Sequence, residues 1–425
     1  MWDNFAHPAF ALRKTPVKKL LAAAAAMAAS LLLSACGGGQ GSSAGAPADF
    51  RIQVGDSSVV ATWTAEPDVD YWIFYGPGPN ITTSNWVQSG GRVLTNTTSP
   101  TVITGLLNGT TYSFTINGRK SGGPGGEGAP TQVAIPRLAG SNWTVGTTLG
   151  TGKLFGIASG ALLTGFATVT VGEGGVIYQS VGGTPTATAT NPAAPNDLYS
   201  VAFGVAGFVA VGSNGTIVQS GDTINWTARF SGTSQPLYAI APTTGGYIAV
   251  GGGGTILTSS DAQTWTAQAS GTTADLFAAV GGLNYQAAVG ANGTIVTSTD
   301  GAAWSTQASG TTAKLTGITI GSIPSADGTT FTSVYAAVGA GGALTTSPDG
   351  LAWTTRAPIG STDLNAVRFG GQFVAIGKNG VIYTSPDGTT WTSQVSGTTN
   401  ELFAVTRTLT GYSVSGAAGT TLFSS

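Results

Sequence analysis

From residue 137 to residue 425 the chain repeats one pattern of apolar and polar positions seven times. Each copy opens on a leucine (Leu154, Leu198, Leu237, Leu276, Leu315, Leu364 and Leu402), continues into a second apolar run such as Phe208-Val209-Ala210-Val211, and reverses at a Gly-x-x-Gly turn. Short alternating runs bounded by turn residues predict half-buried β-strands. The turn recurs at Gly172/Gly175, Gly212/Gly215, Gly251/Gly254, Gly290/Gly293, Gly339/Gly342, Gly377/Gly380 and Gly416/Gly419, and three copies contain Asn-Gly. Asn and Gly accept positive φ at little cost, so these are hairpin turns. They join strand to strand, whereas a phosphate cradle needs a helix after its glycines.

A tryptophan keeps step with the pattern. Trp226, Trp265 and Trp304 are 39 residues apart, Trp353 follows after 49 and Trp391 after 38. The longer step carries an extra segment from Ser322 to Thr330, which reads as a loop insertion. A period near 40 built of short strands predicts the blades of a β-propeller, each unable to bury both faces alone. The first repeat is degenerate, with a Thr-rich stretch from Thr184 to Thr190 where a Trp is expected. The seventh stops at Leu422-Phe423-Ser424-Ser425, before its outermost strand, and Asn142-Trp143-Thr144-Val145 offers such a strand at the other end of the domain. The N-terminal segment is therefore expected to complete the last blade and close the ring, removing exposed sheet edges.

Four copies place an Asp four residues before the Trp: Asp261 and Trp265, Asp300 and Trp304, Asp349 and Trp353, Asp387 and Trp391, each Asp following Ser259, Ser298, Ser347 or Ser385 by two. This resembles the Asp-box (BNR) repeat of sialidase-like propellers, one residue short between Asp and Trp, and the shortened form is similar to propellers related to photosystem II assembly factors. The Asp is read as an acceptor for backbone N–H groups inside a tight turn and the Trp as a plug toward the neighbouring strand or blade. Metal ligation by the Asp residues and sugar stacking by the Trp residues stand as alternatives, the former weakened because one carboxylate per turn supplies few oxygens.

Residues 47–136 carry a different pattern. Val59, Ala61 and Trp63 alternate with polar neighbours, Tyr71-Trp72-Ile73-Phe74-Tyr75 forms an aromatic run, and Tyr112, Phe114 and Ile116 share one face of a further strand. About 90 residues of this kind suit an immunoglobulin-like sandwich. Trp63, the aromatic run and Leu106-Leu107-Asn108-Gly109-Thr110-Thr111-Tyr112 resemble a fibronectin type III domain, which implies a tyrosine corner at Tyr112 and a spacer or adhesion role. No Arg-Gly-Asp tripeptide is present.

Arg13, Lys14, Lys18 and Lys19 precede an apolar stretch from Leu20 to Leu33, shorter than a membrane span of about 20 residues but suited to a signal-peptide core. The stretch runs into Leu33-Ser34-Ala35-Cys36, which resembles the lipobox of bacterial lipoproteins. The resemblance implies a signal peptide over 1–35, cleavage before Cys36, acylation of that residue, and a protein lipid-anchored in the cell envelope; Gly37 after the Cys favours the outer membrane over the inner. Residues 36–46 are expected to form a flexible tether.

Composition narrows the chemistry. The chain has one His, His7, and one Cys, Cys36, so removal of the leader leaves no imidazole or free thiol for a zinc site, a nucleophilic triad or a disulfide framework. Charged residues make up 8% and the net charge is −2, shifting to −5 without the leader, which offers nothing to nucleic acid. No cofactor, metal or catalytic residue is expected. The arginines beyond Pro136 are Arg137, Arg229, Arg356, Arg368 and Arg407, and the glutamates Glu173 and Glu401. Arg229 and Arg356 follow blade tryptophans and so belong to outer strands, which leaves too few central arginines for a sialidase triad. The residue before each opening Leu is Lys153, Asp197, Pro236, Asp275, Lys314, Asp363 or Glu401. These charged side chains are expected to line the central funnel as a binding rim, or alternatively only to solvate strand ends. Two functions remain open: a non-catalytic envelope lipoprotein whose propeller binds a protein or glycan while the sandwich acts as spacer, and a sialidase-like glycoside hydrolase or carbohydrate-binding protein with a degenerate site. The fold class expected is all-β, a sandwich over 47–136 followed by a seven-bladed propeller over 137–425.

Overall fold

The computed structural model describes residues 41–424, apart from 163–164, 182–185, 188–190, 283–284 and 325–329. The leader, Cys36 and the first part of the tether lie outside the described residues, as does most of the Thr-rich stretch of the first repeat. Among the described residues, no helix is long and apolar enough to cross a membrane.

The N-terminal domain is an all-β sandwich. Its strands are β1 (Ser42–Ala44), β2 (Arg51–Gly55), β3 (Ser58–Thr62), β4 (Asp70–Pro77), β5 (Arg92–Thr97), β6 (Thr101–Thr104), β7 (Tyr112–Lys120) and β8 (Gln132–Ala134). One sheet has the order β1-β7-β4-β5 with β8 also on β7, the other β2-β3-β6. Strands β4 and β7 bury Tyr71, Ile73, Tyr75, Phe114 and Ile116, and the Tyr75 and Phe114 rings stack at 5.9 Å. The Tyr112 hydroxyl accepts the Leu107 N–H at 3.2 Å, the tyrosine-corner contact. Trp63 sits one residue beyond β3, its N–H taken by the Ser99 hydroxyl at 2.9 Å instead of a ladder carbonyl. One boundary shifts: Ser42–Ala44, expected in the tether, pairs with Gly118–Lys120. Main-chain ladders need no apolar side chain, so a run of Ser and Ala can join a sheet without a hydrophobic signature.

The C-terminal domain consists of seven four-stranded antiparallel sheets. Blade 2 is representative, with strands Leu198–Gly204, Gly207–Gly212, Ile217–Ser220 and Thr227–Arg229. The opening leucines of all seven blades are buried. Burial of one such side chain stabilises by about 1.5–3 kcal/mol. Each blade closes its neighbour's open face: Val209, Val211 and Ile217 of blade 2 pack with Leu237, Ile240 and Tyr247 of blade 3. The ring closes as expected. β9 (Trp143–Val145) pairs with Thr421–Ser424 in the register Leu422↔Val145 and Ser424↔Trp143, supplying the last blade's fourth strand.

The Gly-x-x-Gly turns have a specific steric cause. In blade 2 the Ser213 N–H donates to the Asp197 carbonyl at 3.0 Å, tying the turn to the residue before the opening Leu. A Cβ on Gly212 would stand 1.8 Å from that carbonyl oxygen, so no larger residue fits. The same lock recurs in every blade, from Glu173 to the Lys153 carbonyl in the first to Ala417 and the Glu401 carbonyl in the last. Asn214, inside the turn, has φ of 54°. The insertion in the fifth repeat differs from expectation. Its ends extend the inner hairpin, Leu315–Pro324 against Phe331–Gly339 down to the pair Pro324↔Phe331, because strand pairing continues outward wherever register allows. In blade 1, Thr186–Ala187 forms the fourth strand without a Trp.

Candidate functional site

The residue after each opening leucine falls in a β-bulge of the innermost strand in blades 2 to 7. A bulge re-aims the side chain it carries, and here it brings successive blades' aromatic rings together. Phe403 lies 5.5 Å from Phe155, Phe155 5.6 Å from Tyr199, Tyr199 5.9 Å from Tyr238, and Tyr238 5.2 Å from Phe277. The Lys314 ammonium then caps the arc 3.9 Å above the Phe277 ring. Thr316 and Asn365 complete the circle with polar side chains: Thr316 donates to the Leu364 carbonyl, and Asn365 Nδ2 donates to Glu401 Oε1 at 3.0 Å. The result is a half-buried belt, five rings long, at the end of the propeller axis that carries the Gly-x-x-Gly turns. In the sequence the belt is five aromatics among the seven post-leucine positions, two residues beyond the charged positions expected to form the rim.

Three of the charged residues before the leucines hold blades together. Asp197 Oδ1 accepts the Gly174 N–H at 2.7 Å, Asp275 Oδ1 the Gly253 N–H at 2.8 Å, and Asp363 Oδ1 the Gly341 N–H at 2.7 Å, each reaching the turn of the preceding blade. Asp363 also pairs with Lys378 at 2.7 Å. That hydrogen bond, with the Gly341 N–H, holds the Asp363 carboxyl below its ordinary value and raises the Lys378 ammonium. Glu173 Oε2 accepts the backbone N–H of Lys153 at 3.1 Å. Asp197 and Asp275 act on the belt itself: burial first, then the Asp197 charge, raises the Tyr199 hydroxyl, and burial followed by the Asp275 charge raises Tyr238. Both phenols stay neutral donors beside acceptors, on flat apolar rings. Such a surface can stack on aromatic, prolyl or guanidinium groups and hydrogen-bond to main-chain amides.

The Asp-boxes lie at the opposite end of the blades, between third and fourth strands. Asp261 Oδ1 accepts the N–H groups of Gln263 and Thr264 at 2.8 and 2.9 Å, and the Ser259 hydroxyl donates to it at 3.1 Å. Asp300, Asp349 and Asp387 repeat this arrangement, and the indole N–H groups of Trp265, Trp304, Trp353 and Trp391 each donate to a carbonyl of their own turn. Backbone N–H donors lower the carboxyls of Asp261, Asp300 and Asp349; at Asp387 burial opposes the shift but the Thr390 and Thr389 N–H groups prevail, leaving it at about 2. A fifth box escaped the sequence reading. Asp222 accepts from Ile224 and Asn225 at 2.9 and 2.8 Å, precedes Trp226 by the same four residues, and is held at about 2 chiefly by Asn225. At least one oxygen of each box carboxylate is thus engaged by N–H donors, and among the described residues no group of three or more His, Cys, Asp or Glu side chains is placed to hold a metal ion.

Arg229 Nη2, in an outer strand, donates to Gln219 Oε1, and Arg356 Nε, one residue past an outer strand, to the Thr346 hydroxyl, both at 2.8 Å. Arg368 lines a cavity of about 320 Å³ on the propeller axis, among residues of all seven inner strands.

Fold and site together define a two-domain all-β protein, a fibronectin type III sandwich followed by a seven-bladed propeller with an aromatic belt at one axial mouth. Residues 45–134 match the fibronectin type III domain family. Among solved structures, the propeller is similar to YCF48 from Cyanidioschyzon merolae, with 18% identity over 66% of this chain and 98% of that one and a TM-score of 0.51. YCF48 bound to a D1 peptide gives 17% identity, 66% and 94% coverage and a TM-score of 0.51. The WD40 propeller domain of Doa1 gives 10%, 67% and 97%, and 0.52. At these identities the likeness is one of fold. No curated protein matches the chain in sequence.

Proposed function

We propose that this protein is a non-catalytic lipoprotein of the cell envelope, anchored through an acylated Cys36 and holding a propeller that binds a polypeptide partner, with the sandwich as spacer. The aromatic belt carries this reading. Aromatic, partly desolvated surfaces flanked by polar groups have the composition of protein-binding hot spots. The belt's neutral phenols and the Asp197 and Asp275 carboxylates supply acceptors for a peptide's amide, Lys or Arg donors. A propeller of the same fold, YCF48, has a structure bound to the D1 peptide, which supports a peptide over a glycan. The lipobox resemblance and Gly37 support an outer-membrane anchor.

Two experiments test the reading. Cells fed a clickable fatty acid should label the wild-type chain and not the Cys36→Ser variant; labelling of both, or of neither, contradicts the anchor. The chain expressed from Gly37 should select peptides from a displayed library while showing no specific capture on a glycan array. Selective glycan capture without peptide selection, or turnover of fluorogenic glycosides, would move the protein to the carbohydrate class.

A further inference from the structure

Charge is divided unevenly between the blades that carry the rings and those that do not. In the five ring-bearing blades, the residues before the opening leucines and inside the Gly-x-x-Gly turns contribute Glu173, Asp197, Asp275 and Glu401 against Lys153, a net charge of −3. In blades 5 and 6, where Thr316 and Asn365 replace the rings, the same positions contribute Lys314 and Lys378 against Asp363. Among the described residues, Asp363 and Lys378 pair at 2.7 Å, whereas none of the four acids of the ring-bearing blades has an ion-pair partner. Asp197 and Asp275 each spend one carboxylate oxygen on a turn N–H, at 2.7 and 2.8 Å, and the second oxygen makes no hydrogen bond to the described residues.

The rings already hold one cation. The Lys314 ammonium stands 3.9 Å from the Phe277 centroid, at the end of the arc. Adjacent centroids are 5.2 to 5.9 Å apart. A cation over the seam between two rings therefore lies within the roughly 6 Å reach of both. We propose that the belt takes an arginine-bearing, net-basic segment of a polypeptide partner, its guanidinium groups laid on the rings and their N–H edges turned to the second oxygens of Asp197 and Asp275. This deepens, and rests on, the reading of the belt as a peptide site. The uneven charge selects the sign, attracting a basic segment and repelling an acidic one. The half-buried rings select arginine over lysine, because a planar guanidinium stacks, is less strongly hydrated than an ammonium, and presents a fork to a carboxylate. Lys314 holds the Phe277 end of the arc as an internal competitor.

Peptides selected from a random displayed library on the chain expressed from Gly37 test it, read first by composition and then by affinity. The prediction is enrichment of Arg and depletion of Asp and Glu relative to the unselected library. Replacing each Arg of a selected peptide by citrulline, its uncharged isostere, should weaken binding about tenfold or more, and raising the salt concentration should weaken it severalfold. Asp197→Asn/Asp275→Asn keeps an acceptor for both turn N–H groups while removing two charges, and should bind about tenfold more weakly at an unchanged melting temperature; Lys314→Gln should bind about threefold more tightly. The citrulline comparison needs no variant and decides the matter if the double variant does not fold. Selected peptides without Arg enrichment, or citrulline peptides that bind as well, would overturn the basic partner and leave the peptide site standing, whereas failure to select any peptide would overturn both. Undiminished affinity in a folded Asp197→Asn/Asp275→Asn, or weaker binding by Lys314→Gln, would also overturn the proposal.

Discussion

The two kinds of position in the propeller, those at the turns and those on the axis, obey opposite rules. At the turns the blades are nearly interchangeable. Seven carbonyls accept from seven Gly-x-x-Gly turns, and five Asp-boxes repeat one set of N–H bonds. On the axis the blades differ: five aromatics, a Thr and an Asn follow the leucines, and a single Arg breaks a ring of small residues. A position fixed by steric or hydrogen-bond necessity within its own blade repeats. A position released from that necessity can vary around the ring, and asymmetric variation is what a ligand can read.

Variants at the two kinds of position should therefore separate stability from binding. The largest stability effect is expected from Trp226→Ala, since the ring is buried against blade 1 and its indole N–H donates to the Thr223 carbonyl. A loss of about 3–5 kcal/mol should appear in chemical denaturation of the propeller. Gly212→Ala should follow, with about 1–3 kcal/mol lost through overpacking against the Asp197 carbonyl, while Gly221→Ala, with nothing near its Cβ position and no positive φ, should lose less. An equal loss at both glycines would break the steric account of the turn.

Smaller still is the acid response of the boxes. Asp222 and Asp387 sit at about 2 in the folded chain, against about 3.9 for an unfolded Asp. A depressed carboxyl contributes stability that is complete above the unfolded value and is lost as pH falls from about 4 through about 2. The melting-temperature gap between the wild type and Asp222→Asn/Asp387→Asn should close across that window and stay constant above pH 5. A gap unchanged down to pH 2 would contradict the hydrogen-bonded carboxylate.

The same contrast explains what could be read from the sequence. The turns, the Trp spacing and the ring closure are legible because each depends on residues within one repeat or on a mismatch between the two ends of the domain. The fifth box, at Asp222, obeys the rule of the other four and needed only the same spacing applied to Trp226. The belt is legible only in retrospect. Phe403 and Phe277 are far apart in sequence and become parts of one surface when bulged strands converge on the axis, so no local pattern marks them as partners. Ser42–Ala44 gave no hydrophobic signal because its place in the sheet rests on main-chain hydrogen bonds. Arg368 was visible as one of few arginines, but its place on the axis depends on how the seven inner strands converge.

On the proposed function, the belt is where the protein meets its partner. The decisive measurement is the affinity of a peptide selected on the wild-type chain for Tyr199→Ser/Tyr238→Ser, alongside its melting temperature, with Arg229→Gln on an outer strand as control. Loss of two hot-spot rings should weaken binding by roughly a hundredfold or more while the variant still melts cooperatively and the control binds as wild type. Unchanged affinity in the double variant, with its fold intact, would place the binding surface elsewhere.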